Sequence, residues 1–238
     1  MSGAALSSLQ VQMTLSRKMN IIADNLANMS TPGFKAEMLA IFPDSDGLAP
    51  SDKRYAVPLG IARDTREGNL SQTGNALDLA IQGRGFFVVQ TPEGERYTRN
   101  GRFSLDAQGQ LVNSNGLAVL GDSGAPITFP TEAGKLSVSP DGTISAATGE
   151  VATIGIVAFE NERQLVRVSN GLFKADAPPK PAEKALVVQG SIEESNVQAV
   201  IQITEMMKVT RGYQSAQKIV QSEHERLRRA IQSLTSTS

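Results

Sequence analysis

Cysteine is absent from the 238 residues of this chain, and histidine occurs once, as His224. The lack of thiols excludes disulfide frameworks, thiol nucleophiles and thiolate metal sites. His224 has no second histidine with which to share a metal ion, and Glu223 and Glu225 beside it point to other faces of a helix. We therefore predict a solvated or helix-packing histidine, with no metal site and no Ser-His-Asp triad.

The chain also lacks long apolar runs and any bias of charge. No stretch of about 18 consecutive apolar residues occurs, so a membrane-spanning helix is not expected. Lys and Arg number 23 against 24 Asp and Glu, so we expect no general attraction to nucleic acid or to an anionic membrane. The N-terminal residues lack a basic region followed by a continuous apolar core, so no cleaved signal peptide is expected either.

Nucleotide-binding motifs are missing as well. GRGFF at 83–87 lacks the third glycine of a dinucleotide loop and precedes a predicted strand, so a turn or bulge is favoured. GNLSQTG at 68–74 lacks the Gly-Lys-Ser/Thr ending of a P-loop. Arg226, Arg228 and Arg229 lie near two glutamates, and ion pairing along a helix explains them. We predict no catalytic residue, no cofactor and no small-molecule substrate, which leaves binding and assembly.

What the chain does contain is an apolar stripe near its start. Residues 1–29 include no proline and, after Gly3, no glycine. Apolar side chains recur at steps of four, three, four and three residues, at Leu15, Met19, Ile22, Leu26 and Met29. This spacing predicts an amphipathic helix about 40 Å long. The helix is expected to end at Met29, because Pro32 pushes the residue before it toward extended geometry and Gly33 permits a turn.

The middle of the chain, from about residue 30 to 190, has a different character. Turn dipeptides such as Asn100-Gly101, Asn115-Gly116 and Asp141-Gly142 alternate with short runs such as FFVVQ, RYTRN, QLVNS and IGIVAFE. Strands of about five residues between tight turns predict an all-β body built of hairpins. The segment DAPPKPAEKA at 176–185 is rich in proline and predicts a connector leading away from that body.

A second helix is predicted from about residue 195 to 234, with Gly212 as its only breaker. One seam repeats every seven residues and is apolar, at Ala199, Met206, Tyr213, Val220, Leu227 and Leu234. With that seam at d, the a positions are half polar and are Ile203, Thr210, Gln217, His224 and Ile231. This pattern indicates a coiled coil. At about 60 Å the helix exceeds what the β body covers, so it must pack against the first helix or against other subunits.

The sequence thus predicts an α+β fold, in which N- and C-terminal helices pair as a coiled coil around a central all-β domain built of hairpins. The expected division is an N-terminal helix at 1–29, a linker and extended segment at 30–75, a β-rich domain at 76–175, a Pro-rich return segment at 176–194 and a C-terminal helix at 195–238. The predicted assembly interface consists of Leu15, Met19, Ile22, Leu26, Met29, Met206, Tyr213, Val220, Leu227, Ile231 and Leu234.

Three blocks of the chain resemble the flagellar rod, hook and hook-associated family. Residues 24–37, DNLANMSTPGFKAE, resemble the signature that ends the family's first helix, with Asp24 in place of its first asparagine. The matching residues are Asn25, Ala27, Asn28, Thr31, Gly33, Phe34 and Lys35. Residues 72–121 and 188–220 are similar to the family's central and C-terminal segments. Asn25 and Asn28 of the motif are expected to hydrogen-bond to local backbone, and a bond to a neighbouring subunit is the alternative.

The resemblance implies a function. Within the family the chain is most similar to the proximal rod subunit, and the distal rod subunit is the alternative. Such subunits leave the cytoplasm through the flagellar type III export apparatus without a cleaved signal peptide and polymerise across the periplasm into a drive shaft. The implied partners are other rod subunits and the export apparatus, and no reaction is catalysed. The start, MSGAALSSLQ, is shorter than is common in proximal subunits, so it is either atypical or truncated. From the residues alone, a periplasmic β-rich binding module or cell-wall enzyme stays a further alternative.

Overall fold

In a computed structural model, residues 3–41, 59–130, 134, 136–182 and 184–235 are described. The chain divides into two compact units. A helical unit combines residues 1–27, 37–63 and 197–238, and a β-rich unit combines residues 28–36 and 64–196. Each unit is therefore assembled from segments that are far apart in sequence. In the part of the chain that the structure describes, no helix is both long and apolar enough to cross a membrane.

The described residues of the helical unit form two long helices and a pair of antiparallel strands. Its elements are α1 (Gly3–Ala27), β1 (Glu37–Ile41), β2 (Leu59–Arg63) and α2 (Ala199–Thr235). The strands β1 and β2 pair antiparallel, with Glu37 opposite Arg63. The helices also run antiparallel, because contacts move backward along α2 as they move forward along α1. Leu15 approaches Gly212, Lys18 pairs with Glu205, and Asn25 bonds to Gln202.

Both helices are shorter than the sequence predicts, for identifiable reasons. α1 ends at Ala27 rather than Met29, because residues 28–31 form a turn in which Thr31 donates from its amide to the carbonyl of Asn28. α2 begins at Ala199 rather than residue 195. The amide of Asn196 donates to the carbonyl of Phe34, and its side chain accepts from the amide of Ala36. These bonds hold residue 196 outside the helix.

Among its described residues, the β-rich unit contains fifteen short strands and two single 3₁₀ turns, Glu162–Gln164 and Ser169–Gly171. The strands are β3 (Leu70–Gln72), β4 (Leu79–Gln82), β5 (Phe86–Thr91), β6 (Gly94–Thr98), β7 (Phe103–Leu105), β8 (Leu111–Asn113), β9 (Ser137–Val138), β10 (Thr143–Ala146), β11 (Gly149–Thr153), β12 (Ile156–Ala158), β13 (Val166–Arg167), β14 (Phe173–Lys174), β15 (Lys180–Pro181), β16 (Leu186–Gln189) and β17 (Ser191–Glu193). The predicted α+β class is confirmed.

Local hairpins and long-range pairings both build this unit. The largest sheet has the order β13-β14-β6-β5-β12-β15, and a three-stranded sheet has the order β11-β10-β9. β7 pairs with β8 as a local hairpin. In contrast, β3 pairs with β17 and β4 pairs with β16, so strands near the start of the unit are completed by strands near its end. All the pairings between named strands are antiparallel.

Strand β5 separates two hydrophobic clusters. Phe87 and Val89 lie in the larger one, whereas Phe86 and Val88 lie in a smaller one with Phe159. Alternate residues of a strand point to opposite faces of a sheet, so a strand buried on both faces requires the unbroken apolar run FFVV. In the smaller cluster, the Phe86 and Phe159 rings pack edge to face with centroids 6.0 Å apart.

Two predicted loops have different roles in the fold. The Pro-rich segment is more than a connector, because Lys180 and Pro181 form the edge strand β15 beside β12. Proline is tolerated there because an edge strand leaves one row of amides unpaired. Asn100-Gly101 is predicted as a hairpin turn, but Gly101 lacks a positive φ. A Cβ at Gly101 would lie 1.6 Å from the carbonyl oxygen of Leu79, so close backbone approach requires this glycine.

Candidate assembly interface

The predicted stripe of α1 lies mostly on the side that packs against α2. Ile22 is buried, and Leu15, Met19 and Leu26 are half-buried. Met29 lies beyond the end of the helix and is exposed. Two further side chains on α1, Ile21 and Asn25, are buried although the prediction omits them. A polar Asn25 in a buried position gives no apolar signal, which is why periodicity does not find it.

On α2 the face against α1 differs from the predicted pair of seams. Met206, Tyr213 and Val220 are half-buried, as expected for one seam. The second seam consists of residues three positions later, since Val209 and Ala216 are buried. The predicted a positions instead include exposed Ile203, Gln217 and His224. The side chains of Leu227, Ile231 and Leu234 lie outside the described residues.

Small side chains explain the choice of seam. Gly212 lies on the same face as Val209 and Ala216, and a Cβ placed on it would lie 3.4 Å from Cδ1 of Leu15. That is an ordinary van der Waals distance, so Leu15 of α1 packs over the Gly212 position of α2, the residue predicted as a helix breaker. An ion pair follows along the same face, with Lys18 Nζ 2.9 Å from a carboxylate oxygen of Glu205.

The ion pair shifts the acidity of its carboxylate. Glu205 accepts hydrogen bonds from Lys208, one turn later on α2, and from Lys18 on α1. Both donors favour the ionised carboxylate, and they lower the pKa of Glu205 to about 2. The charge of Glu205 is therefore part of the contact between the helices.

Apolar side chains also cover outer faces of both helices. On α1, Leu9 and Met13 are exposed, and we call them the α1 outer patch. On α2, Val200 is 78% exposed, and Ile203 and Met207 are each 49% exposed. These three, at spacings of three and four, form the α2 outer patch. Large apolar residues grouped on a helix face mark an interaction surface.

Asn25 of the motif fixes the base of the hairpin in the helical unit. Its side chain accepts from the amide of Glu37 at 2.9 Å and donates to the carbonyl of Glu37 at 2.8 Å. It thus pairs with β1 as a neighbouring strand would, and it also donates to Gln202 of α2. Asn28 bonds within the motif itself, where its side chain accepts from the side-chain hydroxyl of Thr31. Asn25 instead reaches twelve residues along the chain.

Lys35 of the motif belongs to a buried ionic group in the β-rich unit. Its Nζ donates to Glu193 Oε1 at 2.5 Å and to the carbonyl of Arg66 at 2.8 Å. Arg99 Nη1 lies 3.4 Å from the other oxygen of Glu193. Lys35 is 5% exposed and Glu193 is 1% exposed. We call Lys35, Arg99 and Glu193 the buried triad.

The charges of the triad are compensated by backbone groups. The amide of Gly68 donates to Glu193 Oε1, and Arg99 donates to the carbonyls of Ile81 and Gly83. Burial lowers the pKa of Lys35, and the nearby carboxylate of Glu193 opposes that shift. Sequence reasoning identifies Lys35 but neither of its partners, because Glu193 lies 158 residues away and no local pattern links them.

Gly33 and Phe34 complete the motif's contacts within the β-rich unit. Gly33 has φ +69°, and a Cβ on it would lie 2.4 Å from the carbonyl carbon of Arg99. Its amide donates to the carbonyl of Glu193 at 2.8 Å. The guanidinium of Arg167 lies 5.0 Å from the centre of the buried Phe34 ring, within the range of a cation–π interaction. The motif is therefore packed against backbone that is distant in sequence.

Asn196, in the C-terminal block, links two other segments of this unit. Its side-chain amide donates to the carbonyls of Asp64 and Arg66, at 3.0 and 2.9 Å. Its side-chain oxygen accepts from the amide of Ala36 at 2.7 Å. One amide side chain therefore uses three of its four hydrogen-bonding positions on backbone groups. Hydrogen bonds from Arg66 lower the pKa of Asp64 beside it.

Family models match the same three blocks. Residues 6–35 match the model described as flagella basal body rod protein, and residues 80–146 match that of the flagellar hook protein FlgE/F/G D1 domain. Residues 188–233 match the model of the flagellar basal body rod FlgEFG protein C-terminal region. The buried triad draws one residue from each of these three matched regions.

Similar proteins extend over almost the whole chain. The flagellar basal-body rod protein FlgF of Caulobacter vibrioides is 37% identical, covering 98% of each chain. FlgF of Rhizobium meliloti is 33% identical, covering 95% of each. FlgG of Bacillus subtilis is 33% identical over 90% of this chain and 92% of its own. The predicted resemblance is confirmed, and the chain belongs to the family of flagellar basal-body rod proteins.

Proposed function

We propose that this chain is a structural subunit of the flagellar rod, in its proximal part, and that it polymerises through its terminal helices. The observation that carries this proposal is the pair of outer patches on α1 and α2. They leave large apolar side chains exposed on helices that are already packed together. A second subunit that covers these patches recovers the hydrophobic free energy that the isolated chain leaves unused.

The two patches differ, and this difference favours a polymer over a closed dimer. The α1 outer patch consists of Leu9 and Met13, and the α2 outer patch of Val200, Ile203 and Met207. A contact between unlike patches is heterologous, and repetition of such a contact builds rings or open helical filaments. In the filament, the helices of neighbouring subunits would pack against one another as coiled coils. Within each subunit, α1 and α2 would be held together by Leu15, Met19, Ile22, Leu26, Met206, Tyr213 and Val220. We assign Leu227, Ile231 and Leu234 to the same packing, and Met29, which is exposed in the single chain, to the assembly interface with a neighbouring subunit.

Export and location follow from this role. A rod subunit must cross the inner membrane before it assembles, so we propose that the chain passes through the flagellar type III export apparatus and functions in the periplasmic part of the basal body. Its partners would be other proximal and distal rod subunits. The FlgF relatives support the proximal position, and the FlgG relatives make the distal position the alternative.

We propose no enzymatic activity. A hydrolase of cell-wall polymer would need a carboxyl group whose pKa is raised for general acid catalysis. A pocket of about 260 Å³ in the β-rich unit is lined by Glu67, Glu160 and Glu162, of which the last two are paired with bases. Lys180 lowers the pKa of Glu160, which is the opposite of what an acid catalyst requires. Glu160 and Glu162 therefore serve as ion-pair partners.

Substitution of the α2 outer patch tests assembly. Ile203→Asp places a charge where a neighbouring subunit should pack, while the face toward α1 stays intact. In the source bacterium with its own copy deleted, we expect the variant chain to accumulate and be exported but swimming motility to be lost. Gln217→Asp, also exposed on α2, is the matched control and should swim normally. Normal motility of Ile203→Asp would remove this patch from the mechanism.

A second measurement assigns the position along the rod. In strains that lack either the proximal or the distal subunit, expression of this chain is expected to restore rods only in the first. Restoration in the strain without the distal subunit would support the alternative. Restoration in neither, together with fragments released from purified peptidoglycan, would support the enzyme hypothesis.

A further inference from the structure

The buried triad joins parts of the β-rich unit that are far apart in the chain. Lys35 precedes all strands of this unit, Arg99 follows β6, and Glu193 ends β17. Their side chains are nonetheless in contact, and each is at least nine-tenths buried. The motif can therefore reach its observed environment only after residue 193 has arrived.

Backbone pairings impose the same requirement. Among the strands that the structure describes, β3 pairs only with β17, and β4 pairs only with β16. The amides of Gly33 and Gly68 both donate to Glu193, through its backbone carbonyl and its side chain respectively. Residues 33–36, 64–82 and 186–196 thus depend on one another, whereas the hairpins β5–β6 and β7–β8 form from neighbouring residues.

We propose that the buried triad is a latch that closes the β-rich unit when residues 186–196 arrive, and that the motif residues Gly33 and Lys35 act in this closure rather than in export. Before Glu193 arrives, Lys35 lacks the carboxylate that accepts its hydrogen bond at 2.5 Å, and burying its ammonium without that partner is strongly unfavourable. Residues 33–36 and 64–82 consequently stay open until the C-terminal segment joins them. The statement about export rests on the proposed function, and the statement about closure does not.

Closure of this kind suits a subunit that must travel as an unfolded chain. A unit that folded early from its N-terminal half would block a narrow channel while its C-terminal half was still inside. Because β3 and β4 are completed by the last strands of the unit, their folding is delayed until almost the whole chain has passed. The hydrogen bonds of Asn196 to residues 36, 64 and 66 then secure the closed state.

Native-state hydrogen exchange on the full chain tests the latch. Glu193→Gln removes the carboxylate that both buried cations contact, so the amides of residues 33–36, 68–72 and 187–196 should exchange about 100-fold faster. Amides in the β5–β6 hairpin should keep their wild-type rates. Glu160→Gln, which breaks the exposed pair with Lys180, is the matched control and should change neither group.

A second variant removes one of the two buried cations of the triad. Lys35→Met retains the Arg99–Glu193 contact and removes one cation, so a milder acceleration of about tenfold is expected in the same amides. The double variant Lys35→Met with Glu193→Gln should exchange more slowly than Glu193→Gln alone, because one uncompensated cation fewer is buried. If Glu193→Gln does not fold, Lys35→Met still measures the coupling. Equal acceleration in all strands, or none in the closing segments, would overturn the latch.

A measurement of export in cells tests whether the motif also acts in export. Lys35→Met should be exported as efficiently as the wild-type chain and should assemble less well. Loss of export in Lys35→Met would show that the apparatus reads the motif, contrary to this proposal. Failure of the wild-type chain to be exported at all would refute the proposed function and leave the exchange result on closure intact.

Discussion

At the scale of single residues, the motif acts through backbone geometry as much as through side chains. Gly33 combines a left-handed conformation with an approach to Arg99 that no side chain permits. The side chain of Asn25 bonds to both the amide and the carbonyl of Glu37, as the backbone of a neighbouring strand would. Buried groups of this kind are costly to alter, because an unsatisfied partner stays behind when one side is removed.

Two glycine substitutions separate the cost of the left-handed conformation at Gly33 from the cost of its close approach to the Arg99 backbone. Gly116 also has a positive φ, +74°, but a Cβ there meets nothing within 4 Å. Gly116→Ala should cost only the left-handed penalty, about 1–2 kcal/mol. Gly33→Ala adds a clash with backbone and should cost about 2 kcal/mol more in the free energy of unfolding.

Urea denaturation followed by near-ultraviolet circular dichroism measures both costs, because Tyr97 and its phenylalanine neighbours are packed only in the folded β-rich unit. Equal losses for Gly33→Ala and Gly116→Ala would mean that the close approach to Arg99 carries no energetic weight.

At the scale of elements, the sequence predicts the existence of both long helices but not the face through which they pair. Near its start, α2 is apolar on opposite sides, with Val200, Ile203 and Met207 outward and Val209 inward. A heptad count therefore fits more than one seam. Contacts from the other helix, above all Leu15 against Gly212, make the choice, and a single sequence does not contain that information.

The ion pair between the helices gives the helical unit an acid-sensitive contact. The pKa of Glu205 is about 2 in the folded chain, below its ordinary value of 4.5. A carboxylate with a lowered pKa stabilises the fold above about pH 4.5, and this contribution is lost as the pH falls toward about 2. We expect the melting temperature of the helical signal to fall over that window in the wild type and to fall less in Glu205→Gln.

Lys18→Met is the informative companion variant, since it leaves Lys208 as a donor to Glu205. Its melting temperature should show an intermediate dependence on pH, because one of the two hydrogen bonds that stabilise the carboxylate is retained. A dependence unchanged from the wild type in both variants would assign the acid sensitivity to other carboxylates.

At the scale of the whole molecule, local pattern and long-range pairing contribute unequally to what could be predicted. FFVV and the glycine turns predict hairpins such as β5–β6, because neighbours in sequence form them. The partners of β3 and β4 lie more than a hundred residues away and follow no repeat, so the closing strands are invisible to periodicity. For the same reason, the sequence motif identifies Lys35 but not its partners Arg99 and Glu193, which lie far away along the chain.

The two units also differ in how much core each contains. The β-rich unit has two clusters of buried side chains, whereas in the helical unit the buried apolar residues are Ile21, Ile22, Val209 and Ala216 among those described. A unit with a small core and exposed apolar patches is expected to depend on association for its stability. In dilute solution, trypsin should therefore cut first within α1 and α2 and leave the β-rich unit intact.

Varying the protein concentration tests whether association stabilises the helical unit. If subunits stabilise one another through unlike outer patches, helicity measured by circular dichroism and resistance of α1 and α2 to trypsin should both rise with protein concentration, while the β-rich unit stays constant. Ile203→Asp should abolish that rise without changing the dilute spectrum, and Gln217→Asp should retain it. Full, protease-resistant helicity in the dilute wild-type chain would mean that the helix pair is already complete, and that the outer patches are not needed for its stability.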